Sequence, residues 1–81
     1  MPVIFRYKGF RFLFYSNEGD PREPLHIHVR GGGAIAKVWL EPVIGIAESR
    51  GFNSKELSAI LRFVIDNRQL IETRWHEYFG N

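Results

Sequence analysis

Hydrophobic and polar positions alternate in the first half of the chain, as they do in strands that bury one face. In residues 10–15 the phenylalanines are separated by single residues, so their rings lie on one side of a strand. Another apolar run precedes it at residues 3–7, and the Lys8-Gly9 pair between the two runs is typical of a tight hairpin turn. The pattern therefore predicts that the chain opens with a β-hairpin.

A second pair of strands is predicted at residues 25–30 and 34–40, around a run of glycines. A two-residue turn at Gly32-Gly33 puts the apolar side chains of this pair on one face, whereas a three-residue turn mixes apolar and polar side chains on both faces. The two-residue turn is therefore preferred. It leaves a second face that carries His26, His28, Arg30, Lys37 and Trp39.

Two further segments give weaker signals. Residues 16–24 are rich in turn-forming side chains and are predicted to be a loop. Residues 42–50 contain Val43, Ile44 and Ile46, which predict a short edge strand. Four or five strands are therefore expected in a mainly antiparallel sheet.

Helical spacing of apolar residues begins in the last third of the chain. Asn53 and Glu56 have the spacing of a capping box, which predicts a helix over about residues 54–65. Its buried stripe is predicted to be Leu57, Ile60, Leu61 and Val64.

The apolar spacing is then interrupted and resumes. Asp66 and Gln69 repeat the spacing of a capping box and predict a second helix over about residues 67–79, with one bent helix as the alternative. Near its end, Trp75 and Phe79 are four residues apart and are expected to complete the core. The alternative for these aromatic side chains is that they anchor a partner protein.

Composition places these elements in one small domain spanning residues 1–81. The lack of cysteine excludes a disulfide framework and a thiolate metal site, and it fits a reducing cytoplasm. The N-terminus is too short and interrupted for a signal peptide, and no apolar run approaches the ~20 residues of a membrane span. A cytoplasmic protein is therefore expected. Its net charge of +2 permits an anionic partner without indicating one.

The sharpest chemical feature is the pair His26 and His28. Residues i and i+2 of a strand project from the same face with Cα atoms ~6.5–7 Å apart, so the two imidazoles would lie close together. Such a pair is able to ligate Zn²⁺ or to act as an acid and a base. No third ligand stands at a telling spacing, and a zinc site is therefore the weaker interpretation. The neutral alternative is two polar residues on the solvent side of a sheet.

The cations beside the histidines suggest an RNA-directed face. Arg30 and Lys37 are suited to a phosphate backbone, and Trp39 to a stacked base. Cleavage of RNA without a metal needs a base, an acid and a cation for the phosphate. The candidate catalytic residues are therefore His28 as general base or acid and His26 as its counterpart, with Arg30 and Lys37 on the phosphate. The alternative is a solvated face with no ligand.

Several stretches of the sequence resemble a bacterial family of domains of unknown function, number 4160. The resemblance covers nearly the whole chain. It rests on Ile4-Phe5-Arg6, Phe14-Tyr15-Ser16-Asn17-Glu18-Gly19-Asp20, Pro24-Leu25-His26-Ile27-His28-Val29, Ala36-Lys37-Val38-Trp39-Leu40-Glu41-Pro42, Ser49-Arg50-Gly51-Phe52 and Trp75-His76-Glu77-Tyr78-Phe79-Gly80. It implies a small gene beside another small gene, in a pair regarded as toxin–antitoxin-like. A small cognate partner protein encoded nearby is therefore expected. The resemblance supplies no catalytic residue.

These observations predict an α+β fold in which C-terminal helices cover one face of the sheet. The leading hypothesis for function is the toxin-like component of a two-gene module, acting as a metal-independent ribonuclease or an RNA-binding protein. One alternative is a non-catalytic module that binds or regulates a partner, with homodimer formation left open. Another is a small protein that binds metal through His26 and His28.

Overall fold

The computed structural model describes residues 3–15 and 24–80. Its elements follow one another as β1 (Val3–Tyr7), β2 (Phe10–Leu13), β3 (His26–Gly31), β4 (Ala34–Trp39), β5 (Gly45–Arg50), α1 (Ser54–Asp66) and α2 (Arg68–Phe79). The strands form one antiparallel sheet in the order of the sequence, β1-β2-β3-β4-β5. The predicted α+β fold is therefore confirmed, with five strands and two helices. The predicted loop at 16–24 lies, apart from its last residue, outside the described residues.

Both predicted hairpin turns are present. Tyr7 lies opposite Phe10 across the Lys8-Gly9 turn. The glycine turn has two residues, and both Gly32 and Gly33 have the positive φ that this tight turn requires. The register that follows pairs His26 with Trp39, His28 with Lys37 and Arg30 with Ile35, as predicted.

The core lies between the helices and one face of the sheet. Phe63 of α1 packs over the first hairpin, with its ring centroid 4.4 Å from that of Tyr7 and 4.7 Å from that of Phe12. Trp75 of α2 packs edge-to-face on Phe14 at 5.3 Å and is buried. The prediction that Trp75 completes the core is therefore confirmed, and Phe79 packs against the same core. The strand residues that alternate with the core residues form the opposite side of the sheet, called here the outer face.

Two capping boxes are predicted at the helix starts; the structure confirms the first and contradicts the second. The Glu56 backbone N–H donates to Asn53 Oδ1 at 2.7 Å, and the Asn53 N–H donates to Glu56 Oε1 at 2.9 Å, which confirms the capping box. The box predicted at Asp66 and Gln69 is wrong, because Asp66 is the last residue of α1. The chain passes into α2 through Asn67, whose side chain donates back to a carbonyl of α1 rather than capping α2.

Candidate nucleic-acid interface

Four arginines form a row across the outer face of the sheet. Arg6 lies opposite Arg11, Arg11 opposite Arg30, and Arg30 and Arg50 flank Ile35 on either side. All four arginines are exposed. Because neighbouring strands are ~4.8 Å apart, this arginine row spans about 19 Å from β1 to β5.

The arginine row is not neutralised within the described part of the chain. The strands carry these arginines and Lys37 against a single carboxylate, that of Glu48. The ion pairs formed between residues within 3–15 and 24–80 lie on the helices, where Arg62, Arg68 and Arg74 each face an acid three or four residues on. The helices carry equal numbers of cationic and anionic side chains. Among the strands and helices of the described residues, positive charge is therefore concentrated on the outer face.

Placing these arginines side by side has a cost. Like charges directly opposite each other in an antiparallel pair are destabilising. Arg11 faces a like charge on both sides, Arg6 on β1 and Arg30 on β3. A surface that carries one sign of charge attracts ligands of the opposite sign, so this face is suited to an anionic ligand.

A second row lies beside the arginines and forms the floor of a cleft. His28 pairs with Lys37, and Lys37 pairs with Glu48, on the adjacent strands β3, β4 and β5. The cleft has a volume of about 360 Å³. The cleft is lined by Tyr15, His28, Ile35, Ala36, Lys37, Glu48, Ser49 and Arg50. The cleft therefore joins a histidine, a carboxylate and two cations in one open space.

Aromatic rings hold the polar side chains of the cleft in place. The half-buried ring of His28 stacks on Tyr15, with centroids 3.8 Å apart and planes 17° apart. On the neighbouring strand the Lys37 Nζ lies 4.4 Å from the centre of the Trp39 ring, a cation–π contact. His28 and Lys37 therefore point into the cleft from fixed positions.

His26 lies behind the cleft rather than in it. It is fully buried, and its Nδ1–H donates to the Pro24 carbonyl at 2.8 Å. Its ring meets that of His28 edge-to-face at 5.1 Å and packs between Trp39 at 5.4 Å and Trp75 at 5.3 Å. Strand alternation puts His26 on the outer face, but its ring is enclosed by those of His28 and Trp39 on the sheet and by that of Trp75 on α2. The catalytic and metal roles predicted for His26 remain predictions.

The structure brings most of the predicted site together and adds residues that the sequence reasoning missed. His28, Arg30, Lys37 and Trp39 share the outer face with His26 behind them. The missed residues are Arg6, Arg11, Tyr15, Glu48 and Arg50. The alternation of Arg6 and Arg11 with the core aromatics of the first hairpin is the signal that would have found two of them.

Two features of the described residues bear on the metal and membrane predictions: the clustering of metal-ligating side chains and the length of the helices. Within residues 3–15 and 24–80, no group of three or more His, Cys, Asp or Glu side chains converges to hold a metal ion. The zinc hypothesis thus has only His26 and His28 among these residues. Neither α1 nor α2, the helices of the described ranges, is long and apolar enough to cross a membrane.

The comparisons with known proteins give one match. The family model of a domain of unknown function (DUF4160) matches residues 9–76, which is most of the chain. The matched range contains β2 to β5 and nearly all of both helices, and therefore the whole cleft. No curated protein and no solved structure matches the chain significantly.

Proposed function

This chain belongs to the DUF4160 family of domains of unknown function, and we propose that its outer face binds single-stranded RNA. The observation that carries the proposal is the arginine row, which places exposed guanidinium groups on one face while the helices are electrically balanced. Arginine donates two parallel hydrogen bonds to a phosphate and is the preferred side chain for a polyanionic backbone. The row therefore supplies the sequence-independent part of RNA affinity.

Single-stranded RNA fits this face better than a duplex. Proteins that bind single strands combine a cationic track for the backbone with aromatic rings for the bases. Trp39 lies on the same face as the arginine row, and the Lys37 ammonium lies over its ring. An aromatic ring and a cation therefore occupy the same part of this face. An unpaired base has its faces and edges available to such a site, whereas the bases of a duplex are stacked on each other.

We include in the proposal the toxin-like role that the family resemblance implies. An excess of a protein that holds or cuts RNA would inhibit growth, and a cognate partner would relieve it by covering the arginine row with carboxylates. Growth and total RNA integrity after induction of the chain alone, and together with the neighbouring gene product, test this role. Arrest that the partner relieves supports it, and unaffected growth contradicts it.

RNA binding itself is tested with a pair of charge-matched variants. Arg11→Gln/Arg30→Gln removes two charges from the arginine row, and Arg62→Gln/Arg74→Gln removes two charges from the helices. The measurement is the fluorescence anisotropy of a labelled single-stranded RNA of about 20 nucleotides. We expect roughly tenfold or greater weakening for the first variant and less than about threefold for the second.

The salt dependence gives a second readout of the same titration. Each phosphate contact to a single strand contributes about 0.7 to the slope of log affinity against log salt, so the sheet variant flattens the slope by roughly 1.4. Equal losses in both variants would contradict the proposal, because the site would then not be on the sheet. If wild type binds no RNA, the proposal is overturned, and an acidic partner protein becomes the next ligand to test on this face.

A further inference from the structure

We infer that the cleft cleaves RNA by acid–base chemistry, with Glu48 as the base and His28 as the acid. The inference rests on the proposed RNA binding and adds a reaction and its residues to it. It also differs from the sequence-based prediction, in which His26 was the counterpart of His28.

The lateral order of the strands supplies the geometry. Lys37 on β4 lies between His28 on β3 and Glu48 on β5. The Cα atoms of His28 and Glu48 are therefore two strand spacings, or about 10 Å, apart. A phosphate held above Lys37 would have one of these groups on each side. Arg50 lines the same cleft and provides a second cation. A base, an acid and two phosphate ligands therefore surround one position.

The chemistry needs only these side chains and the RNA. The Glu48 carboxylate takes the proton of a ribose 2′-OH, and the 2′-oxygen attacks the adjacent phosphorus. The bond from phosphorus to the 5′-oxygen of the next nucleotide breaks, and protonated His28 gives that oxygen its proton. Lys37 and Arg50 stabilise the extra negative charge on the phosphate oxygens during this transfer. The products are a 2′,3′-cyclic phosphate and a 5′-OH, with no change of oxidation state.

The backbone next to Glu48 is irregular in a way that suits this role. The pairing of β4 with β5 shifts register between Lys37 and Val38, so that Lys37 lies opposite Glu48 and Val38 opposite Ile46. The extra residue, Ala47, makes a β-bulge. Bulges re-aim the neighbouring side chains and are common beside active sites. Glu48 and Arg50 both follow the bulge and both line the cleft.

His26 is assigned a positioning role rather than a catalytic one. Its buried ring, anchored by Nδ1 to the Pro24 carbonyl, meets His28 edge-to-face and does not line the cleft. Tyr15 stacks on His28 and lines the cleft. The two rings together hold the imidazole of His28, which is how a group acting in proton transfer is kept in a productive orientation.

The test measures cleavage and binding separately. Single-stranded RNA is incubated with wild type, Glu48→Gln and His28→Gln in the presence of EDTA, and the product ends are identified by mass spectrometry. Affinity for 2′-O-methyl RNA, which has no free 2′-OH, reports binding and folding. Glu77→Gln and His76→Gln are the matched controls, because both residues are exposed on α2.

The inference predicts 2′,3′-cyclic phosphate ends from wild type and no cleavage of single-stranded DNA. Each cleft variant is expected to lower the cleavage rate about 100-fold or more, with affinity for 2′-O-methyl RNA changed less than about threefold. The α2 controls are expected to cleave like wild type. If a glutamine variant fails to bind, Glu48→Ala and His28→Asn replace it.

The outcomes separate the two proposals. A wild type that binds RNA but leaves it intact would overturn the cleavage site and leave RNA binding standing. Cleavage that survives Glu48→Gln or His28→Gln would also overturn the assigned residues. A wild type that neither binds nor cleaves RNA would remove both proposals together.

Discussion

His28 stacks on Tyr15 with ring centroids 3.8 Å apart and planes 17° apart, so the imidazole lies nearly parallel to the phenol. This contact joins Tyr15, two residues beyond the end of β2, to the middle of β3, where His28 lines the cleft. Because the two rings meet face to face, the stack restricts the orientation of the imidazole. Substitution of Tyr15 therefore tests most directly whether the reaction requires the His28 ring to be held in place.

Replacing Tyr15 with alanine is expected to lower the RNA cleavage rate by roughly tenfold, because a reacting group displaced by even ~1 Å loses much of its effect. Affinity for 2′-O-methyl RNA should change less than the rate. Tyr15→Phe keeps the stacked ring and should retain most of the activity. Single-turnover rates and anisotropy titrations give the two quantities. Equal rates for the alanine variant and wild type would show that the stack has no part in the reaction.

Removing Arg11, which has another arginine on each side, should stabilise the free protein while weakening RNA binding. Arg11 faces both Arg6 and Arg30, so Arg11→Gln is expected to raise the free energy of unfolding by about 0.2–1 kcal/mol. Urea denaturation measures this change. Arg62→Gln, which removes an exposed helix charge, is the control and should not stabilise the chain. A loss of stability in Arg11→Gln would contradict the repulsion described for the arginine row.

The two histidines are expected to contribute very differently to stability. His26→Ala removes a fully buried ring and its hydrogen bond to the Pro24 carbonyl, which should cost roughly 2–4 kcal/mol. His28→Ala removes a half-buried ring and should cost less than half as much. Urea denaturation of the two single variants measures both. Equal costs would mean that His26 does not support the core as its burial indicates.

A glycine after β5 provides a test of the fold alone. Gly51 has φ +93°, and a Cβ there would lie 2.9 Å from the Cβ of Ala34. Gly51→Ala should therefore cost at least about 1–3 kcal/mol. Gly45→Ala is the control, because a Cβ there meets nothing within 4 Å, and it should change stability by less than about 0.5 kcal/mol. Similar thermal midpoints for the two variants would contradict the close packing of Gly51 on Ala34.

Local patterns were enough to predict the hairpins and the first helix. The alternation on either side of Gly32-Gly33 determined the register of β3 and β4, because only one turn length puts the apolar side chains together. Asn53 and Glu56 likewise determined where α1 begins, through a contact between residues three apart. Each of these predictions depends on residues that are close in the sequence.

The arginine row and the carboxylate of the cleft depend on longer-range pairing. Arg11 and Arg30 become neighbours only when β2 pairs with β3 across a long connection, whose register no local pattern determines. Glu48 faces Lys37 because a bulge shifts the pairing of β4 with β5. The burial of His26 depends in turn on Trp75, which is almost fifty residues away in the sequence. Strand periodicity assigns each side chain to a face of the sheet, but it does not determine which residues of distant segments meet.

The central claim is that RNA contacts the outer face of the sheet and not the helices. Titrating ¹⁵N-labelled protein with single-stranded RNA and following the amide resonances tests this claim at every residue. We expect the largest shifts at Arg6, Arg11, Arg30, Lys37 and Arg50, with little change along α1 and α2. Shifts concentrated on the helices, or none at all at saturating RNA, would contradict it.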